Sequence, residues 1–327
     1  MPNKKILLGE YPIVNIEMLQ EHGYAVTENP KDADFFLHFS TESYGKSYVE
    51  PDATPPYSRK KSIMFQVEPP LAGYRQRVYE TAFLDQLHTV YNFNPMRTPA
   101  ENQFPVTRCP EAFPYLPIAT GTTRRHRQDT TLGKRTFYYA GDRYQQWGAP
   151  HFSGTTNLYP LRGELVQYLR QQGLAHFVTG PGWEHSTRSS ENWRELKLEE
   201  IDECQADFVL CLENCRCPGY ISEKIHDGFN SDRVVLYCGE PNITDRIPHD
   251  CFINLGGLPF YREIVGPDPY VFNQELVKDL ILNMPQEVYD RILNNARVFR
   301  DQELTMTAYQ EEQDRLTKHL LSRLSSD

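Results

Sequence analysis

Glu223 and Lys224 stand side by side in Tyr220-Ile221-Ser222-Glu223-Lys224, shortly after Glu213-Asn214. A fixed positive charge beside a carboxylate suits a ligand that is part anion and part sugar. Lys224 can neutralise a phosphate. Glu223 is acceptor-only when ionised, so it suits a ribose diol and not a phosphate. Asn214 brings a donor and an acceptor, and Tyr220 a ring edge and a hydroxyl. Gly219 permits backbone angles closed to other residues and lets main chain approach a ligand. Together these groups could hold a nucleotide diphosphate. An ordinary helix start carries the same types, with Glu complementing the dipole and Lys solvated. Residue types alone leave both readings open.

The elements that must position these side chains are legible around them. Phe208-Val209-Leu210-Cys211-Leu212 has the pattern of a buried strand, and the loop after it opens a helix with Glu223 and Lys224 in its first turn. Val234-Val235-Leu236-Tyr237 is a second strand, ending in Gly239-Glu240-Pro241-Asn242. Strand, loop, helix, strand is a βαβ unit, and such units bind ligands at the carboxyl ends of their strands. The exposed N–H groups of the helix start attract phosphate there.

The segment FVLCLENCRCPGYISEKIHDGFNSDRVVLYCGEPNITDRIPHDCFINL, Phe208 to Leu255, closely resembles the signature region of glycosyltransferase family 10. These are the α1,3/α1,4-fucosyltransferases that use GDP-fucose. Its pieces stand here in order: apolar strand, Glu-Asn, short loop, Tyr-x-x-Glu-Lys, amphipathic helix, apolar strand with Gly-x-Pro-Asn, then Pro-x-x-x-Phe-Ile. The resemblance covers roughly fifty of 327 residues. It implies an inverting transfer of L-fucose from GDP-fucose to a glycan hydroxyl, of α1,3 type, with Asn214, Tyr220, Glu223 and Lys224 at the donor. No metal or other cofactor is required in that reading.

Inverting transfer needs one base for the acceptor hydroxyl and positive groups for the departing diphosphate. Glu68, in Phe65-Gln66-Val67-Glu68-Pro69-Pro70, is the candidate base. The family has a Glu in a similar motif at a strand end, often followed by Ser-Pro or Asn. Here Pro follows, so the match is partial, and a Glu exposed in a proline turn is the other reading. Arg162, in Tyr159-Pro160-Leu161-Arg162, matches a family Arg at a helix start that contacts the diphosphate. Its planar fork of donors suits phosphate oxygens, and a solvated helix arginine is the alternative.

A chain of this length suggests two domains. Hydrophobic residues at 39% and charged residues at 24% are ordinary for a soluble protein. A formal net charge of −10 argues against a broad nucleic-acid surface. No stretch is long and apolar enough to span a bilayer. MPNKKILLGEYPIV turns polar too soon for a signal peptide. Animal family members carry an N-terminal Golgi anchor, and this chain departs from them. A cytoplasmic enzyme of bacterial or viral type is the expectation. The oligomeric state is not legible.

Strands are expected at Lys5–Leu8, Asp34–Phe39, Ser62–Val67, Thr89–Phe93, Arg135–Ala140 and Ala175–Thr179. Helices are expected at Val14–His22 and Leu161–Gln172, and largely from Gln286 onward. Alternating strands and helices imply parallel sheets. Gly121 to Gly133, with Arg124, Arg125 and Arg127, reads as a surface linker. The expected architecture is α/β of GT-B type, two Rossmann-like doubly wound domains facing across a cleft, as the resemblance also implies. Residues 1–125 would form an acceptor-side domain and 130–300 a nucleotide-sugar domain. Residues 301–327 would be a helix packing back on the first. The acceptor loop is sought at Ser40 to Arg59.

Other patterns are weaker. Asp32-Ala33-Asp34 has the DxD form of metal-dependent transferases but sits where Asp makes a turn or cap. Gly180-Pro181-Gly182-Trp183-Glu184-His185 lacks the last glycine of a dinucleotide loop. Cys211, Cys215 and Cys217 lack zinc-ligand spacing. Asn242-Ile243-Thr244 has the form of a glycosylation sequon. A transferase for another nucleotide sugar, or a silent glycan- or nucleotide-binding protein, are the alternatives.

Overall fold

Short apolar runs pair as two five-stranded parallel sheets in a computed structural model of the chain. The structure describes residues 4–8, 14–29, 32–38, 62–66, 89–92, 124–141, 156–183, 193–216, 220–263 and 270–325. Two units result. One is Met1–Leu116, Trp147–Gly154 and Thr307–Asp327, and the other Pro117–Gln146 and Thr155–Met306.

The first unit holds β1 (Lys4–Leu8), α1 (Ile16–Glu21), β2 (Tyr24–Thr27), β3 (Phe35–His38), β4 (Ser62–Gln66) and β5 (Thr89–Asn92). Its order is β2-β1-β3-β4-β5, and every pair is parallel. Asn15 caps α1, its Oδ1 accepting from the Met18 N–H at 3.0 Å.

The second unit runs β6 (Phe137–Ala140), β7 (Thr156–Asn157), α2 (Tyr159–Gln171), β8 (Ala175–Thr179), α3 (Trp193–Cys204), β9 (Phe208–Leu212) and β10 (Cys215–Arg216). It continues through α4 (Glu223–Asn230), β11 (Val234–Cys238), β12 (Ile253–Asn254), β13 (Tyr261–Glu263), β14 (Tyr270–Phe272), α5 (Gln274–Asn283) and α6 (Gln286–Glu303). The sheet order is β12-β11-β9-β6-β8, again all parallel. Both sheets thus have their first strand flanked by their second and third. The sheet is doubly wound. Phe137, Tyr139, Phe208, Leu210, Val234 and Leu236 face a core shared with α2, α5 and α6. The alternate residues, Val209, Cys211 and Val235 among them, face the side on which α4 packs against β9 and β11. β9 and β11 are buried at every position, as strands covered on both faces must be.

Last in the chain, α7 (Met306–Leu324) places Leu316, Leu320, Leu321 and Leu324 in the first unit's core with Ile6, Val14, Leu19 and Leu37.

Three local differences from the sequence reading have physical causes. β6 starts at Phe137 and not Arg135, because Arg135 takes φ 51° while its amide is held by Asp207. α2 begins two residues early because Pro160, which needs no N–H partner, fits its first turn. The supposed surface linker is bound. Arg125 pairs with Glu195 at 3.0 Å, and Arg127 with Asp207 at 3.0 Å. The Arg127 amide donates to Asp232, which is also held by Arg297.

Candidate functional site

In the second sheet the chain leaves β6 toward β8 on one side and toward β9 on the other. The crevice at such a reversal, beyond the carboxyl ends of the strands, is where open α/β sheets take ligands. Residues Glu213 and Asn214 follow β9 directly at that edge. The chain then enters β10, whose Cys215 and Arg216 pair antiparallel with Asn157 and Thr156 of β7. This ribbon carries the start of α2 to the same edge, with the Leu158 amide on the Asn214 carbonyl at 3.1 Å.

Two chains of contact meet there. In the first, Arg162 Nη1 donates to Asn214 Oδ1 at 3.0 Å and to the carbonyls of Glu213 at 3.3 Å and Leu212 at 3.4 Å. Its guanidinium lies 3.8 Å from the centre of the Tyr159 ring. Asn214 Nδ2 reaches the Tyr220 hydroxyl at 3.4 Å. Arg162 is 1% exposed, so its visible work is to fix the strand end and aim Asn214.

In the second, Glu213 is fully buried and receives the Ser222 N–H at 2.8 Å and the Ser222 hydroxyl at 2.5 Å. Ser222 caps α4, its Oγ accepting from the Lys224 N–H and, at 3.0 Å, from Lys224 Nζ. Lys224 Nζ lies 3.5 Å from Glu213 Oε2 and 3.6 Å from Glu223 Oε1. Burial raises the Glu213 pKa, while Lys224 and the Ser222 hydrogen bonds oppose that shift. A side chain at Gly239 would meet Glu213 Cγ at 2.3 Å, so only glycine leaves room for this carboxylate. Lys224 and Glu223 keep 13% and 22% of their side chains exposed. The ammonium is anchored by Ser222 and Glu213, on a side chain that keeps part of its surface exposed.

Beside Lys224 a small cavity opens between β6 and β9, bordered by Ala140, Cys211, Asp227 and Gly228. Lys197 of α3 and Asp227 of α4 form a buried ion pair on its wall.

The structure thus brings Arg162, Asn214, Tyr220, Glu223 and Lys224 together in one unit. Glu68, Gly219, Cys217 and the loop Ser40 to Arg59 lie outside the described residues. Asp34 of the DxD pattern accepts from the Lys5 amide at 2.8 Å and pins β1 to β3. Gly180 takes φ +122°, and the Trp183 indole donates to the Gly141 carbonyl at 2.9 Å, which makes that loop a packing turn. Among the described residues no three of His, Cys, Asp and Glu gather as a metal site, and no helix is long and apolar enough to cross a membrane.

Sequence reasoning did not assign Glu213 or Ser222 a role. The signal was present. A Glu directly after an all-apolar strand must find partners, and a Ser just before a helix is a cap.

Comparison with known proteins adds one relative. The chain is 28% identical over 117 residues to Alpha-(1,3)-fucosyltransferase FucT of Helicobacter pylori. The match covers 36% of this chain and 22% of that protein, so the chain spans about a fifth of its relative's length. No family model matches. Among solved structures, an alpha1,3-fucosyltransferase with GDP-fucose aligns at 14% identity and a TM-score of 0.47, over 89% of this chain and 81% of that one. Anabaena HepE with UDP and glucose aligns at 10% identity and a TM-score of 0.46, over 99% and 100%. Likeness at that level decides neither nucleotide nor sugar.

Proposed function

We propose that the chain is an inverting glycosyltransferase that moves L-fucose from GDP-fucose to a hydroxyl of a glycan acceptor, with α1,3-type linkage. The acceptor oxygen forms the new bond to the sugar's anomeric carbon. The bond from that carbon to the β-phosphate oxygen breaks, and GDP departs. The acceptor proton goes to a carboxylate, a role this proposal gives to Glu68. Lys224 and the start of α4 stabilise the charge that grows on the diphosphate. Glu223 suits the ribose diol, and Arg162 and Tyr220 serve the donor by holding Asn214. No metal is required, because the ammonium supplies the positive charge.

One observation carries this reading: Lys224, anchored by Glu213 and Ser222, stands at the reversal point of a doubly wound sheet. The similarity to the Helicobacter pylori enzyme supports the choice of sugar. The test is donor turnover by the purified chain with GDP-fucose, GDP-mannose and UDP-glucose, each with a glycan array. GDP-fucose should be consumed and fucose appear on an acceptor. Turnover of UDP-glucose alone would overturn the fucose reading, and turnover of none would overturn the enzyme reading.

A further inference from the structure

Arg162 is enclosed, so a second guanidinium is needed if the diphosphate is to meet an arginine fork, and Arg216 offers one. It sits in β10, two residues beyond Asn214, on the ribbon that joins the strand end to the start of α2. Its buried Nε has no hydrogen-bond partner among the described residues. Among the described residues no carboxylate lies within ion-pair reach of it. The positive charge of Arg216 opposes the rise that burial gives the pKa of Cys238, the last residue of β11, and of Glu240 just beyond it. Among the described residues the Tyr261 ring lies beside Arg216, with the guanidinium carbon 5.5 Å from the centroid. A buried donor without an acceptor is costly, and a partly enclosed arginine fork matches two phosphate oxygens.

We propose that Arg216 is a diphosphate-binding residue of the donor site, acting beside Lys224 on the same leaving group. This rests on the donor reading above. The Tyr261 ring lies beside the guanidinium and takes none of its donors. Arg216 therefore belongs to binding and to stabilising the departing phosphate, not to proton transfer.

Calorimetric titration of the full chain with GDP and with guanosine tests it. Arg216→Met keeps the stem and loses the fork. It should bind GDP about tenfold more weakly while guanosine affinity stays within twofold, roughly what one charge-assisted contact contributes. Its thermal midpoint, compared with wild type, controls for folding. Should that variant unfold, Arg216→Lys keeps a charge but no fork and should still lose roughly threefold or more. Unchanged GDP affinity in a folded variant, or an equal loss for guanosine, overturns the assignment to the phosphates. Failure of the wild-type chain to bind GDP would instead overturn the donor reading on which it rests.

Discussion

Lys224 is the residue on which donor binding turns. Its ammonium has a neutral hydroxyl at 3.0 Å and a buried carboxylate at 3.5 Å, so an incoming phosphate meets a cation already held in place. Lys224→Ala should lose a charge-assisted contact of about 1.5–3 kcal/mol, about ten- to hundredfold in GDP affinity. Calorimetry giving a wild-type affinity would remove Lys224 from the site. Glu240 makes a different prediction. It is 4% exposed, and its carboxylate accepts from the Asn242 amide at 2.8 Å. Burial, only partly opposed by that N–H and by Arg246 and Arg216, pushes its pKa from 4.5 up to about 7. The folded chain therefore holds this proton more tightly than the unfolded chain. The resulting stability is complete below the unfolded value and is lost as pH rises through about 7, by up to about 3 kcal/mol. Glu240→Gln is neutral throughout and keeps an acceptor for Asn242. Its urea midpoint should match wild type at pH 5 and exceed it at pH 8. A difference that does not change between the two would show that Glu240 does not carry the effect.

At the scale of elements, α4 is held where it is by Gly228. A Cβ there would meet Val235 Cγ2 at 2.7 Å and Cys211 Sγ at 2.9 Å. Alanine would gain about 1 kcal/mol in helix propensity. Overpacking against a stiff buried valine costs about 1–3 kcal/mol, so Gly228→Ala should lower the urea midpoint. It should also weaken GDP binding, because Lys224 and Ser222 ride on the first turn of the same helix. A variant that is more stable than wild type would mean that α4 can shift freely. The strands on either side of α4 were legible because β9 and β11 are buried on both faces and so are apolar without interruption. The helix α3 was not. Lys197, which is 8% exposed, interrupts its apolar face with a charge that makes sense only beside Asp227 of α4, 30 residues further on. The edge strand β2 is four residues long and half exposed, so its pattern carries little signal. The site shows the same division. Motif spacing singled out Asn214, Tyr220, Glu223 and Lys224. That Glu213 needs a partner could be read from its place after an apolar strand, but that the partners are Ser222 and Lys224 is set by the packing of two elements.

At the scale of the molecule, both sheets follow one order, with the first strand between the second and the third. Only the second completes its core from a nearly continuous stretch of chain. The first must wait for α7, which follows every other described element of both units in the sequence. The leucines of α7 recur at 316, 320, 321 and 324, a stripe that announces a helix but not the surface it covers. That surface is Ile6, Val14, Leu19 and Leu37, reached from the far end of the sequence. Polar contacts help to register it: the Asn15 amide donates to Thr317 Oγ1 at 2.7 Å, and Asn15 Nδ2 to Asp314 at 2.6 Å. Each is worth about 1 kcal/mol net, whereas emptying a buried leucine site costs about 2–5 kcal/mol. The apolar stripe therefore dominates. Leu320, with no exposed surface, is its most direct probe. Leu320→Ala should destabilise the first unit by that larger amount, and Asn15→Ala by clearly less. Limited proteolysis with mass mapping reads the outcome: cleavage should accelerate within residues 4–92 and 307–325 and not within 156–303. Equal acceleration in both sets of fragments, or none in either, would show that α7 does not close the first core.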